Sequence, residues 1–151
     1  MTGGPRWPSR SYLWEVALDD IKPDWLTAAR AIALALPMAA EKETWGHPTF
    51  RVNDKIFAGI GAGEVDGEPD FRADDLGIVT TMSMKAAAGE QEALLASGHP
   101  FFRPKYVGNR GWIGIIIDEH TDWSEIEELV IDSYREIAPK RLVIQLDSIE
   151  D

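Results

Sequence analysis

Between Phe101 and Trp112 the chain sets three cations, Arg103, Lys105 and Arg110, among four aromatic residues, Phe101, Phe102, Tyr106 and Trp112, with no acid between them. Cationic side chains neutralise phosphates, and exposed rings stack on bases. These are the residue types of a nucleic-acid surface. Arg51 and Lys55, on either side of the turn pair Asn53-Asp54, would extend it. The competing expectation is that the rings belong to the core and the cations pair with this chain's many carboxylates.

A second constellation is Trp45-Gly46-His47-Pro48-Thr49-Phe50. An aromatic, a glycine and an imidazole ahead of a strand suit a binding lip, and a neutral imidazole serves as acid, base or metal ligand. With Trp112 it defines an alternative site, a small-molecule pocket around Trp45, His47 and Trp112. The plainer expectation buries Trp45 and Phe50 in the core.

Other chemistries find little support. His47, His99 and His120 are the only imidazoles, and none has zinc-ligand spacing. No serine sits in a Gly-x-Ser-x-Gly elbow. The glycine-rich run Gly59 to Gly63 lacks the Lys-Ser/Thr of a phosphate loop. The acidic stretch at 61–75 has glycine at the wrong offset for a calcium loop. The expectation is a non-enzymatic protein without metal or cofactor.

The chain has 151 residues and no cysteine, which bounds it to one domain without disulfides or thiol chemistry. No apolar stretch is long enough to span a membrane and the first ten residues do not form a signal peptide, so a cytoplasmic monomer is expected. The net charge is −11. Residues 1–60 balance seven cations with seven acids, while residues 61–151 hold eight and nineteen. Such a balance repels phosphate backbones at long range. It also offers a rival role, an adaptor whose eight acids between Asp118 and Glu136 engage a basic protein partner.

The elements that would position these residues follow from pattern. Residues 1–20 read as a tail or extra strand, with a weak alternation from Tyr12 to Leu18, ahead of a single domain at 21–151. Pro23 and the spacing of Trp25, Leu26, Ala29, Ile32, Ala33 and Leu36 predict a helix over 23–36. Thr49 to Val52 and Lys55 to Ile60 predict a hairpin, and Gly77 to Met84 a third strand. A short helix follows at 89–97. Lys105 to Val107 and Gly111 to Asp118 predict a second hairpin around Gly108-Asn109. Asp122 with Glu125 would cap a helix striped by Trp123, Ile126, Leu129, Val130, Tyr134 and Ile137. Pro139 stops it and favours a helix over an edge strand for Lys140 to Leu146. Strands joined by short turns give an α+β, two-layer, mainly antiparallel sheet with helices on it.

Several segments together resemble the MmcQ/YjbR family: Ala35-Leu36-Pro37 with Glu41, Trp45 to Val52, Lys55-Ile56-Phe57-Ala58, Tyr106 to Trp112, Ser133-Tyr134, and Ala138-Pro139-Lys140-Arg141-Leu142. The likeness covers about residues 24–146. It implies the order helix–three strands–helix–two strands–helix, which matches the order read above. It also implies DNA binding, with two hairpins acting as wings, here Arg51 to Phe57 and Lys105 to Trp112.

Overall fold

The structure, a computed structural model, describes residues 21–44, 46–63, 79–104 and 107–150. The expected N-terminal tail, most of the acidic stretch, Trp45, Lys105 and Tyr106 lie outside the described residues.

The elements run α1 (Pro23–Leu34), β1 (Ala40–Thr44), β2 (His47–Val52), β3 (Lys55–Gly63), β4 (Val79–Lys85), α2 (Gln91–Ala96), β5 (Phe101–Phe102), a 3-10 turn (Gly108–Arg110), β6 (Trp112–Ile117), α3 (Trp123–Ile137) and α4 (Lys140–Glu150). Six strands form one sheet in the order β1-β2-β3-β4-β6-β5, every neighbouring pair antiparallel. The fold is therefore α+β, as expected, and Lys140 does begin a helix. Asp122 caps α3 by accepting from the Ser124 and Glu125 backbone N–H groups at 3.0 and 3.3 Å.

Two elements differ from the sequence expectation. β1, Ala-Glu-Lys-Glu-Thr, carries neither alternation nor an apolar run and is missed. It is an exposed edge, where charges prevent pairing with another chain. Arg30 of α1 ties it down through a two-pronged contact with Glu41, both bonds 2.9 Å. The second hairpin also differs. β6 pairs with Phe101–Phe102, ahead of the expected strand, and Gly108-Asn109-Arg110 is a 3-10 turn. The two phenylalanines win because their side chains are buried.

Helices α1 and α3 pack on one face of the sheet. Phe50, Val52, Ala58, Ile60, Met82, Met84, Ile113 and Ile115 point into that layer and meet Ala29, Ala33, Ile126, Val130 and Tyr134. A bulge sharpens the arrangement. Phe50 opposes Ala58 and Arg51 opposes Ile56, so Phe57 is an extra residue. Such a bulge lets Phe57 and Ala58 both reach the core. The Phe57 ring meets Tyr134 edge-on at 5.4 Å and 88°. The hydroxyl of Ser133 donates to the Phe57 carbonyl at 2.7 Å and accepts from the Lys85 N–H at 2.9 Å. Tyr134 donates its phenol to the Pro37 carbonyl at 2.7 Å. Ser133 and Tyr134, two residues that carry the family resemblance, are thus buried supports of the fold.

Candidate binding cleft on the open sheet face

Strand residues alternate between faces. Since Ala58, Ile60, Met82 and Met84 point to the helices, Gly59 and Ser83 between them point the other way. The register sets Thr49, Gly59, Ser83 and Gly114 in one row across β2, β3, β4 and β6. Small residues at the middle of that row leave a hollow. It is an open cleft of about 500 Å³, lined by Thr44, His47, Thr49, Arg51, Asp54, Lys55, Ile56, Gly59, Ser83, Val107, Arg110 and Trp112.

Three separate stretches of chain deliver the cations. Arg51 stands on β2, Lys55 starts β3 just after the turn, and Arg110 ends the 3-10 turn. Asn53 and Asp54 both have positive φ, 52° and 63°, as the tight turns that match strand twist require. Arg51 is held from beneath. Thr49 gives its one hydroxyl proton to the Lys42 carbonyl at 2.6 Å. The 3.1 Å contact between Thr44 and Thr49 therefore runs from the Thr44 O–H to Thr49 Oγ1. Thr44 Oγ1 is left to accept from Arg51 Nη2 at 2.8 Å.

The rest of the Arg51 guanidinium is poorly satisfied. Its Nη1 lies 3.4 Å from Asp54, whose side chain is 84% exposed. An ion pair with so exposed a partner contributes little and is easily displaced. Nε is buried with no hydrogen-bond partner among the described residues. Lys55 and Arg110 form no ion pair with a described acid. Among the described residues the cleft thus sets three cations against one displaceable carboxylate in a chain of net charge −11. A smaller hollow of about 320 Å³ shares Arg110 but adds Lys85 with Glu92 and Glu136, so it has no such excess.

The Arg110 segment is anchored by a residue that no sequence pattern marks. Gln91 of α2 donates from one amide to the Gly108 carbonyl at 2.7 Å and to the Trp112 carbonyl at 2.8 Å. Lys85 donates to the Arg110 carbonyl at 3.1 Å. Gly111, at φ 86°, then turns the chain into β6. Residues 108–112 of the expected second wing are therefore fastened to α2 and β4.

The sequence candidates sort as follows. Arg51, Lys55 and Arg110, from the nucleic-acid set, and His47 and Trp112, from the pocket set, line the same cleft. Arg103 does not line it; its stem lies across Gly108, where an added Cβ would come within 2.7 Å of Arg103 Cγ. Trp45 and Lys105 lie outside the described residues. Thr44 and Gln91 were missed because their roles depend on strand register and on a contact across the fold.

The acidic stretch of the adaptor reading has structural duties. Asp122 caps α3, Asp118 accepts from the His120 N–H at 2.8 Å, and Glu119 pairs with Lys22 at 3.7 Å. Among the described residues no group of three His or acidic side chains is placed to hold a metal, and no helix is long and apolar enough to cross a membrane.

The model of the YjbR family matches residues 34–136. No curated protein matches the chain. Among solved structures, a Deinococcus radiodurans protein carrying a DUF419 domain is similar, with a TM-score of 0.58 and 16% identity over 81% of this chain and 87% of that one. A Pseudomonas syringae protein has a TM-score of 0.59 and 16% identity over 77% of this chain and 98% of that one. At such identity the likeness concerns the fold.

Proposed function

The chain belongs to the YjbR family, and we propose that in this member the open sheet face is a non-enzymatic binding site for nucleic acid. The observation that supports the reading is the meeting of Arg51, Lys55 and Arg110 with the Trp112 ring in one cleft, against the sign of the whole protein. Concentrated cations contact phosphates, and an aromatic ring at their side stacks on a base. The acidic remainder weakens long-range attraction, so binding is modest and restricted to low salt.

The small-molecule reading draws on the same cleft, because His47 and Trp112 line it as well. Salt dependence separates the two. Three phosphate contacts give a slope of log affinity against log salt of about −3 on duplex DNA and about −2 on a single strand. Fluorescence anisotropy of labelled DNA across a salt series measures it. The triple variant Arg51→Ala, Lys55→Ala, Arg110→Ala should flatten the slope toward zero and weaken binding at low salt. Unchanged binding by that variant would place the contact elsewhere.

A further inference from the structure

We infer that the cleft takes one nucleotide unit with an unpaired base, the base lying flat over Gly59 and the phosphate meeting Arg51, Lys55 and Arg110. This rests on the nucleic-acid reading above and narrows it to single strands and free nucleotides.

The major groove of a duplex is read by something that protrudes, a helix or a two-stranded ribbon. The candidate surface is concave, and its second supposed wing is a 3-10 turn fastened by Gln91. The cleft is lined from five neighbouring strands, β1, β2, β3, β4 and β6. At ordinary strand spacing that is ~19 Å from the first to the last, a breadth that takes a base, its sugar and a phosphate between side chains.

Glycine in a strand interior is unfavourable, and it often marks a close approach by something else. At Gly114 that partner is internal. An added Cβ there would sit 2.4 Å from the Phe102 ring. At Gly59 no such demand exists. An added Cβ would meet nothing nearer than the Pro48 carbonyl at 3.5 Å. The backbone there is not in a conformation reserved for glycine, because positive φ is confined to other positions. Gly59 puts no side chain on the floor of the cleft, level with Ser83 in the register and with the His47 ring to one side, 3.9 Å from where a Cβ would stand. A flat ring can lie against it.

Three cations satisfy one or two phosphates, while a duplex brings two dense rows of them to a protein of net charge −11.

The test is a set of equilibrium titrations at low salt. The probes are labelled oligothymidylate, the same strand paired with its complement, thymidine monophosphate and inorganic phosphate. The single strand should bind at least ~10-fold more tightly than the duplex, and Trp112→Ala should weaken it ~10-fold, as loss of one stacking contact does. Gly59→Val, which adds a strand-favouring side chain to the floor, should weaken it similarly while the thermal midpoint stays level or rises. Competition by the monophosphate assigns the site to free nucleotides, and competition by the oligonucleotide alone assigns it to chains; both support the inference. Duplex binding as tight as the single strand, or inorganic phosphate competing as well as the nucleotide, would overturn it and leave the broader reading standing. No binding by any probe would remove both.

Discussion

The two faces of the sheet are built from the same strands and differ in how completely their polar groups are satisfied. On the helix-covered face, Ser133 both donates and accepts, and the Tyr134 phenol has the Pro37 carbonyl. On the open face, Arg51 has a buried Nε without a partner among the described residues, and Lys55 and Arg110 form no ion pair with a described acid. Buried polar groups are nearly always paired, so an unpaired one calls for an explanation. The covered face is arranged for stability. The open face keeps its hydrogen-bonding capacity in reserve, as a binding surface does. Substitutions on the first should therefore move stability without moving affinity, and those in the cleft should do the reverse.

The largest effect belongs to Phe57→Ala. The ring is fully buried against Tyr134, and its removal should destabilise by about 3–5 kcal/mol in urea unfolding. The fraction that remains folded should bind oligonucleotide as the parent does; weaker binding by that fraction would break the separation of faces. Ser133→Ala comes next. It leaves the Lys85 N–H and the Phe57 carbonyl without their hydroxyl partner, a loss of about 1–3 kcal/mol by the same measurement. A loss well below that range would mean that the bulge relaxes and finds other partners.

The covered face was far more legible in the sequence than the open one. Helical spacing from Trp123 to Ile137 and the strand pattern from Lys55 to Ile60 gave α3 and β3, because burial writes itself as periodicity. The cleft writes no such pattern. Gly59-Ile60-Gly61-Ala62-Gly63 read as a failed phosphate loop, yet it is a strand with glycine at every second position, which strips one face. Arg51 and Arg110 are far apart in sequence, and only the order β2-β3-β4-β6 brings them to one hollow. That Arg51 and Lys55 extend the surface of Arg110 was expected from residue type; that they share one hollow with His47 and Trp112 was not. The second hairpin was misplaced for a related reason. Gly108-Asn109 has the composition of a tight turn, but Phe101 and Phe102 gain more by burial beside β6.

The smallest effect tests the covered face through pH. Burial raises the Tyr134 phenol above its ordinary value of about 10, because the phenolate would lose water without gaining a partner. The folded state then keeps a proton that the unfolded chain releases. The stabilisation is complete below pH ~10 and is lost as pH rises from there through the folded value, with a slope of at most about 1.4 kcal/mol per pH unit. Tyr134→Phe removes the titrating group and the bond to Pro37, a loss of about 1 kcal/mol at neutral pH. The variant should therefore be the less stable protein at pH 7, and the gap between the two should narrow above pH ~10 as the parent pays for ionising its phenol. Urea midpoints at paired pH values measure this difference and cancel the titration of the lysines common to both. A gap that stays constant through that range would show that the phenol is solvated in the native state, and the contrast between a sealed face and an open one would lose its clearest member.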